Sequence, residues 1–352
     1  IRRPPRSTQS RSSAASDVYK RQVLLVNLGT PDSTKVSDVR KYLREFLMDK
    51  RVVDIPYVLR WILVNLIIAI FRAPKSAAEY RKLFTERGSP LKFYTEDLTA
   101  MVQKKLSKNY VVEFGMRYQS PSIEEAIKRL MDQHVSEIKV IPLFPQYASA
   151  TTGSVIEKVM ELTMQWQIIP NISFVSQFFH HPLLTETVVD QAQPFLKEND
   201  YDHYLFSYHG LPERQIRKGS VDKHCKLGSC CATLGPKNQF CYRAQCFETT
   251  RLIADKMKIS EDNYTVCFQS RLGRDEWIKP YAEDTLKKLA AEGKKSILVF
   301  SPAFVSDCLE TTIEVGEEYK ENFIEAGGIR WDLVPSLNTE SKWVECVVDM
   351  AK

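Results

Sequence analysis

Two short segments combine residue types suited to moving protons and holding a transition metal. The first is Ser207-Tyr208-His209-Gly210-Leu211-Pro212, in which His209 closes an apolar run and is followed at once by Gly and Pro. That order predicts a histidine on a sharp turn at the end of a strand. A neutral imidazole there can accept a proton or ligate a metal; the plainer reading is a histidine that only caps the turn. The second is Ser301-Pro302-Ala303-Phe304-Val305-Ser306-Asp307-Cys308-Leu309-Glu310-Thr311. Asp307 and Glu310 are three apart, which sets both on one face of a helix's first turn. Acids at a helix start stabilise it, yet Glu310 can do that and still present a carboxylate to a cleft. Two weaker segments are Gly115-Met116-Arg117-Tyr118 and Pro142 to Tyr147, the latter leading into Ala148-Ser149-Ala150-Thr151-Thr152-Gly153-Ser154.

Cysteine is the other chemical signal. Cys225, Cys230, Cys231, Cys241 and Cys246 are five of the eight cysteines in the chain. Such crowding points to a metal site rather than to disulfides. Four thiolates suit Zn²⁺ or a [2Fe–2S] cluster equally by ligand count. The spacings lack the two-residue gap of a zinc knuckle, which favours iron–sulfur. The expected ligands are Cys225, Cys241 and Cys246 with one of Cys230 or Cys231; free thiols in a surface loop are the alternative.

These residues need a scaffold. Apolar runs suited to strands covered on both faces occupy 23–28, 111–118, 137–144 and 172–178, then 203–209, 264–270, 296–301 and 331–336. Amphipathic stretches lie between them, such as 122–134 and 283–293. Two sets of four strand–helix units predict an α/β protein of two doubly wound, Rossmann-like domains, 23–190 and 191–352, joined near Gln191–Asp200. The Cys-rich stretch 224–246 reads as an insertion in the second, and the last helix is expected to pack back on the first. In such sheets ligands bind beyond the carboxyl ends of the strands, where His209, Glu310 and Arg117 are expected. No Gly-x-Gly-x-x-Gly or Walker A segment supports nucleotide binding.

The net charge of +5 sits in residues 1–22, where six basic side chains face Asp17 alone. The rest is near neutral, so no nucleic-acid partner is expected. Residues 1–22 read as an extension outside the fold, either adapter-like sequence or a targeting segment. The longest apolar run, Trp61 to Phe71, is shorter than the ~20 residues that cross a bilayer. It reads as a buried helix or as an apolar lip, about 55–80, resting on a membrane with Arg60, Arg72 and Lys75 at its flanks. The cysteines, with no secretory signal recognised, lead us to expect a cytoplasmic protein, peripheral on the inner membrane.

Taken together, Asn27-Leu28-Gly29-Thr30-Pro31, Arg87-Gly88-Ser89-Pro90, Gly115 to Tyr118, Pro145-Gln146-Tyr147 with Thr151 to Ser154, Ser207 to Pro212, Phe268-Gln269-Ser270-Arg271 with Trp277, and Phe304 to Thr311 resemble the ferrochelatases in order and spacing. The resemblance covers about Gln22 to Lys352. It implies a porphyrin cleft between the two domains and Fe²⁺ as the metal inserted. It further implies that His209 and Glu310 face each other across the macrocycle, with Asp307 as a companion acid. Leu28, Arg72, Tyr80, Arg117, Tyr118, Tyr147, Ser207, Ser270, Trp277 and Phe304 are the matching porphyrin-binding positions. Some ferrochelatases carry a [2Fe–2S] cluster, which adds weight to that reading of the thiols. The animal pattern is not met: Cys346 stands alone near the C-terminus, and Ala150 occupies the place of a cluster Cys, so a cluster here has to use the internal set. His209 is expected as proton acceptor, with Glu310 and Asp307 as the polar relay. The rival readings are insertion of another metal such as cobalt, and a non-catalytic tetrapyrrole- or iron-binding redox sensor. Protoporphyrin and coproporphyrin are not distinguished, and oligomeric state leaves no mark in the sequence.

Overall fold

The computed structural model describes residues 20–132, 135–273 and 275–352. Most of the expected N-terminal extension, residues 1–19, therefore lies outside the described residues. Its last three residues do not belong to it. Strand β1 runs Lys20–Gly29, and Gln22 is buried with its side-chain amide donating to the Leu130 carbonyl at 2.7 Å.

The first sheet comprises β1, β2 (Tyr110–Tyr118), β3 (Val135–Pro142) and β4 (Asn171–Phe174), in the order β2-β1-β3-β4. The second comprises β5 (His203–His209), β6 (Tyr264–Gln269), β7 (Ser296–Phe300) and β8 (Arg330–Leu333), in the order β6-β5-β7-β8. Every ladder is parallel. The two sheets share one topology, and both are of the doubly wound type that the alternation of strands and helices requires. The expected helix over 122–134 is Ile123–Met131, opened by a capping box between Ser122 and Glu125; residues 133 and 134 lie outside the described set. The helix expected over 283–293 is Ala282–Ala291.

Successive side chains of each strand enter different cores. Leu24 and Val26 pack under Ile123–Met131, while Val23 and Leu25 join a larger core with Phe206, Tyr208, Leu298 and Phe300 of the second sheet. The two halves thus share apolar packing, and that common core fixes the spacing between their strand ends. The last helix, Ser341–Ala351, buries Trp343, Val344 and Val347 in it, and Lys105 pairs with Glu345. In the join expected near Gln191–Asp200, the helix Pro182–Glu198 runs on through Lys197 and Glu198, and the chain is extended only from Asn199.

The apolar lip is longer than the sequence reading allowed. It belongs to a 27-residue helix, Tyr57–Leu83, long and apolar enough by length and composition to cross a bilayer. Its middle, Leu63–Arg72, is π-helical. Only one side is buried: Val64, Ala69, Ala73, Ala77 and Tyr80 pack on the helix Val36–Met48. The opposite side exposes Tyr57, Val58, Leu59, Ile67 and Phe71. Arg60 does not flank an open surface, because it is buried and donates to the Val53 and Ile55 carbonyls.

Candidate active site

In a sheet ordered 2-1-3-4 the chain winds in opposite directions from the first strand, leaving a crevice at the carboxyl ends of strands 1 and 3. In the second sheet those strands are β5 and β7. His209 is the last residue of β5, and the segment after β7 leads into the helix that begins at Glu310. The topology therefore delivers both residues to one crevice.

His209 is fixed through its own main chain. Its Nδ1 lies 2.6 Å from the Gly210 carbonyl oxygen. A carbonyl can only accept, so Nδ1 carries the proton and the ring's lone pair is on Nε2. The Tyr242 hydroxyl donates to the His209 carbonyl at 2.9 Å. The indole of Trp277 lies beside the imidazole, with ring centroids 6.2 Å apart.

Gln269 connects the two sides of the crevice. It pairs with His209 across the β5–β6 ladder. Its Oε1 accepts from the Ser207 hydroxyl at 2.7 Å, and its Nε2 donates to the Glu310 carbonyl and to Glu314 Oε2, each at 3.3 Å. The helix Glu310–Glu318 is π-helical, an arrangement frequent at functional sites. Glu310, Glu314 and Glu318 are four apart and share one face. Burial and the nearby charges of Glu314 and Glu79 hold the Glu318 carboxyl above its usual range. Glu310 faces the first half: burial, and then its negative charge, push the Tyr80 hydroxyl up, and Cys308 is raised by burial and the same carboxylate. Ile313 packs with Tyr80 and Tyr118, and Leu28 and Leu309 lie against the same cluster.

The first half contributes a second network. Asp49 Oδ2 accepts from Arg117 Nη2 at 2.7 Å, the Tyr118 hydroxyl at 2.9 Å and the Ser154 hydroxyl at 2.5 Å. The Arg51 backbone N–H donates to Oδ1. Burial opposes ionisation of Asp49, but these hydrogen bonds and the Arg117 charge outweigh it and hold the carboxyl below the usual range. Tyr118 is fully buried. It supports Asp49 and Arg117 from beneath and offers no exposed surface to a ligand.

The structure thus groups His209, Ser207, Ser270, Trp277 and Glu310 around Gln269, and Leu28, Tyr80 and Tyr118 near the Glu310 helix. Arg72 is exposed at the end of the π-helical lip segment. Tyr147 belongs to the first half: its N–H donates to Gln245 Oε1 at 2.7 Å, its ring lies against Phe240, and its hydroxyl lies beside Gly153, next to Ser154 of the Asp49 network. Phe304 is half-buried in the turn after β7, its N–H on the Ser301 carbonyl. Asp307 does not join Glu310: its carboxylate accepts from the Ser336 N–H and from Asn338 Nδ2, which ties two loops together. Gln269, Glu314, Asp49 and Ser154 were missed. Glu314 carried a readable signal, its four-residue offset from Glu310; the other three are defined by partners distant in sequence.

Of the five clustered cysteines, four form a contact series. Cys225 lies close to Cys230 and Cys231, and Cys231 to Cys241, near enough to shift one another's ionisation; the Cys230 and Cys231 sulfurs are 3.8 Å apart. The neighbouring Cys241 thiol, then Arg243, lowers the pKa of the Cys231 thiol. Cys246 is fully buried in the main core beside Tyr242 and Tyr208, where desolvation pushes its thiol well up. It is therefore not one of the set. Among the described residues, no three His, Cys, Asp or Glu side chains converge on a single metal-ion position.

A family model described as ferrochelatase matches residues 20–352. A ferrochelatase of Legionella pneumophila (strain Paris) is 43% identical over 328 residues, spanning 93% of this chain and 97% of the relative. A ferrochelatase of Bdellovibrio bacteriovorus is 43% identical over 333 residues, spanning 95% of this chain and 99% of the relative. Among solved structures, SirB from Bacillus subtilis with Fe³⁺ superposes with a TM-score of 0.50 at 13% identity, covering 94% of each chain, a likeness of fold alone. With the family matched across the described fold and relatives 43% identical over nearly their whole length, the chain belongs to the ferrochelatase family.

Proposed function

We propose that this metal chelatase inserts Fe²⁺ into protoporphyrin IX or coproporphyrin III with His209 as proton acceptor and the Glu310 helix as the polar track. The reaction replaces two pyrrole N–H protons with one Fe²⁺, so two protons have to leave as the metal enters. The observation that carries this reading is the Gln269 link, which holds the strand end bearing His209 and the helix bearing Glu310 and Glu314 at one crevice. With Nδ1 on the Gly210 carbonyl, the neutral His209 ring carries its lone pair on Nε2. Glu314 and Glu318 continue from Glu310 along one helix face, and the raised Glu318 carboxyl suits transient protonation. Imidazole and carboxylate together also suit Fe²⁺. Asp307 has no part in this relay, since both of its oxygens are engaged elsewhere.

The test is anaerobic turnover with Fe²⁺ and each porphyrin, read by the appearance of haem absorption. His209→Ala and Glu310→Gln are each expected to lose at least about a hundredfold in kcat, the usual weight of a general base. Full activity in the His209 variant would sink the assignment. Co²⁺ in the same assay distinguishes the rival metal.

The four neighbouring thiols Cys225, Cys230, Cys231 and Cys241 match the ligand count of a [2Fe–2S] cluster, as they do that of a zinc ion. When bound, the cluster would supply one-electron redox chemistry. A visible spectrum with iron and acid-labile sulfide analysis decides, and stoichiometric zinc in a colourless protein rejects it. The exposed apolar side of Tyr57–Leu83, with Arg72 and Lys75 exposed near it, supports a peripheral seat on an anionic membrane surface. Co-sedimentation with anionic vesicles that persists undiminished in Phe71→Asp would rule that seat out.

A further inference from the structure

The thiol loop and the catalytic crevice meet at three consecutive residues. Cys241 precedes the helix Tyr242–Met257 and is tied to the thiol loop: its N–H donates to the Asn238 carbonyl at 2.8 Å, and Asn238 Nδ2 donates to the Cys230 carbonyl at 2.7 Å. Tyr242, buried to 7% exposure, donates its hydroxyl to the His209 carbonyl at 2.9 Å. Arg243 donates to the Lys279 carbonyl from Nη2 at 3.0 Å and from Nε at 3.3 Å, and its guanidinium lies 4.6 Å from the Phe247 ring centroid. Its Nη1 also reaches the Gly228 carbonyl within the thiol loop.

Both contacts lead to the imidazole. The His209–Gly210 main chain orients the ring, because Nδ1 is bound to the Gly210 carbonyl. Lys279 is two residues beyond Trp277, the ring against which His209 lies. The Trp277 segment is itself held to the His209 exit, Pro212 bridging Trp277 and the Ile278 N–H donating to the Leu211 carbonyl at 2.9 Å.

We propose that Cys241-Tyr242-Arg243 is a coupling segment, in which Tyr242 and Arg243 are positioning residues that set the orientation of His209 and Trp277 according to the packing of the thiol loop. A hydrogen bond to the His209 carbonyl and a bidentate hold on the Lys279 carbonyl make the imidazole's two neighbours, its own main chain and the indole, rigid extensions of one helix terminus. Displacement of Cys241 would then move the general base without touching the substrate. The proposal rests on His209 being that base.

Carbethoxylation of His209 by diethyl pyrocarbonate, followed on its own peptide by mass spectrometry without porphyrin, reads the imidazole's setting independently of turnover. Tyr242→Phe keeps the ring and loses one hydrogen bond, so the labelling rate is expected to change about threefold to tenfold. Cys241→Ser is expected to give a change of the same sign and size. Arg243→Lys should shift Trp277 fluorescence. The double variant Cys241→Ser/Tyr242→Phe should label no differently from Tyr242→Phe alone, as residues acting through one contact are non-additive. Labelling rates in both single variants equal to wild type, or effects that multiply in the double variant, overturn the proposal. Turnover of the wild type in the same preparations keeps the two readings separate. An inert wild type defeats the functional assignment, while the labelling still decides the coupling.

Discussion

The Ser270 hydroxyl donates to Glu314 Oε2 at 2.6 Å, while the Tyr319 hydroxyl donates to Glu314 Oε1 at 2.9 Å. Each carboxylate oxygen thus has its own hydroxyl, and Gln269 Nε2 adds a third donor. Three donors hold this partly buried side chain in place a helical turn from Glu310.

Replacing Glu314 by Gln leaves one acceptor oxygen for donors that now occupy two, and it removes the charge that a metal cation would meet after Glu310. A charge-assisted hydrogen bond contributes about 1.5–3 kcal/mol. The expected outcome is a fall in kcat of at least about tenfold, with the porphyrin KM nearly unchanged, since Glu314 is held by protein donors. Initial rates across a porphyrin series at saturating Fe²⁺ measure it. A rise in KM with kcat intact would assign Glu314 to porphyrin binding instead.

Asp49 is the counterpart in the first half. Its side chain is 4% exposed and neutralises Arg117, which is 15% exposed. Asp49→Ala strands that guanidinium and the buried Tyr118 hydroxyl, at a cost of about 3 kcal/mol or more. Asn, similar in size but uncharged, should cost less. Because the carboxyl is held below its unfolded value, its contribution is present above the ordinary carboxylate range and disappears as pH falls through the lowered folded value. Urea melts at pH 7 and at about pH 2.5, below the ordinary carboxylate value, should show the wild-type advantage over Asp49→Asn shrinking on acidification. An equal difference at both pH values would contradict the assignment of that charge.

Much of this was legible because strand ends and topology obey local rules. An apolar run ending in His209 and then Gly-Pro chemistry reads as a strand exit, and alternation with helices dictates a parallel sheet whose exits share one edge. Glu310 followed from the same reasoning at β7. Asp307 misled for a physical reason: an acid at a helix start is suited both to a cleft and to a loop clasp, and only the position of Asn338 decides between them. Cys246 looked like a ligand by proximity in sequence, but its helix turns it into the core. Asp49 and Ser154 were invisible, since what defines them is a meeting between residues about a hundred positions apart. The lip was under-measured because Asn65 and the flanking basic residues interrupt its hydropathy without interrupting its helix.

His203 predicts a pH response remote from the chemistry. It begins β5, is 3% exposed, and hydrogen-bonds through Nε2 with Thr265 at 2.8 Å, while Nδ1 has no partner among the described residues. Burial, with Lys294 adding to it, lowers its pKa from 6.5 to about 4. The unfolded chain therefore binds a proton at this site that the folded chain refuses between those values. Stability from the neutral ring is complete above about pH 6.5 and declines as pH falls toward 4, by roughly 2–3 kcal/mol. His203→Gln should flatten the fall in Tm between pH 6.5 and 4.5 relative to wild type. An unchanged slope would place the proton uptake elsewhere.

Gly210 offers the sharpest steric test of the crevice. A Cβ there would meet the Gln269 carbonyl oxygen at 2.8 Å and Trp277 Cε3 at 3.0 Å. The first contact is with main chain that also accepts the Gly210 N–H at 2.9 Å, so it cannot be relieved by a rotamer change. The indole can give way, but it then leaves His209. Gly210→Ala is thus expected to cost about 1–3 kcal/mol of stability through overpacking. It is also expected to lower kcat beyond that, because the carbonyl that fixes His209 Nδ1 belongs to the displaced residue. Trp277→Leu should relieve the second contact but not the first, so the double variant should recover part of the stability lost in Gly210→Ala while its turnover stays low. Thermal melts and haem formation on the same samples separate the two effects. Recovery of both together would mean that the indole's bulk, and not the imidazole's tether, was the element disturbed.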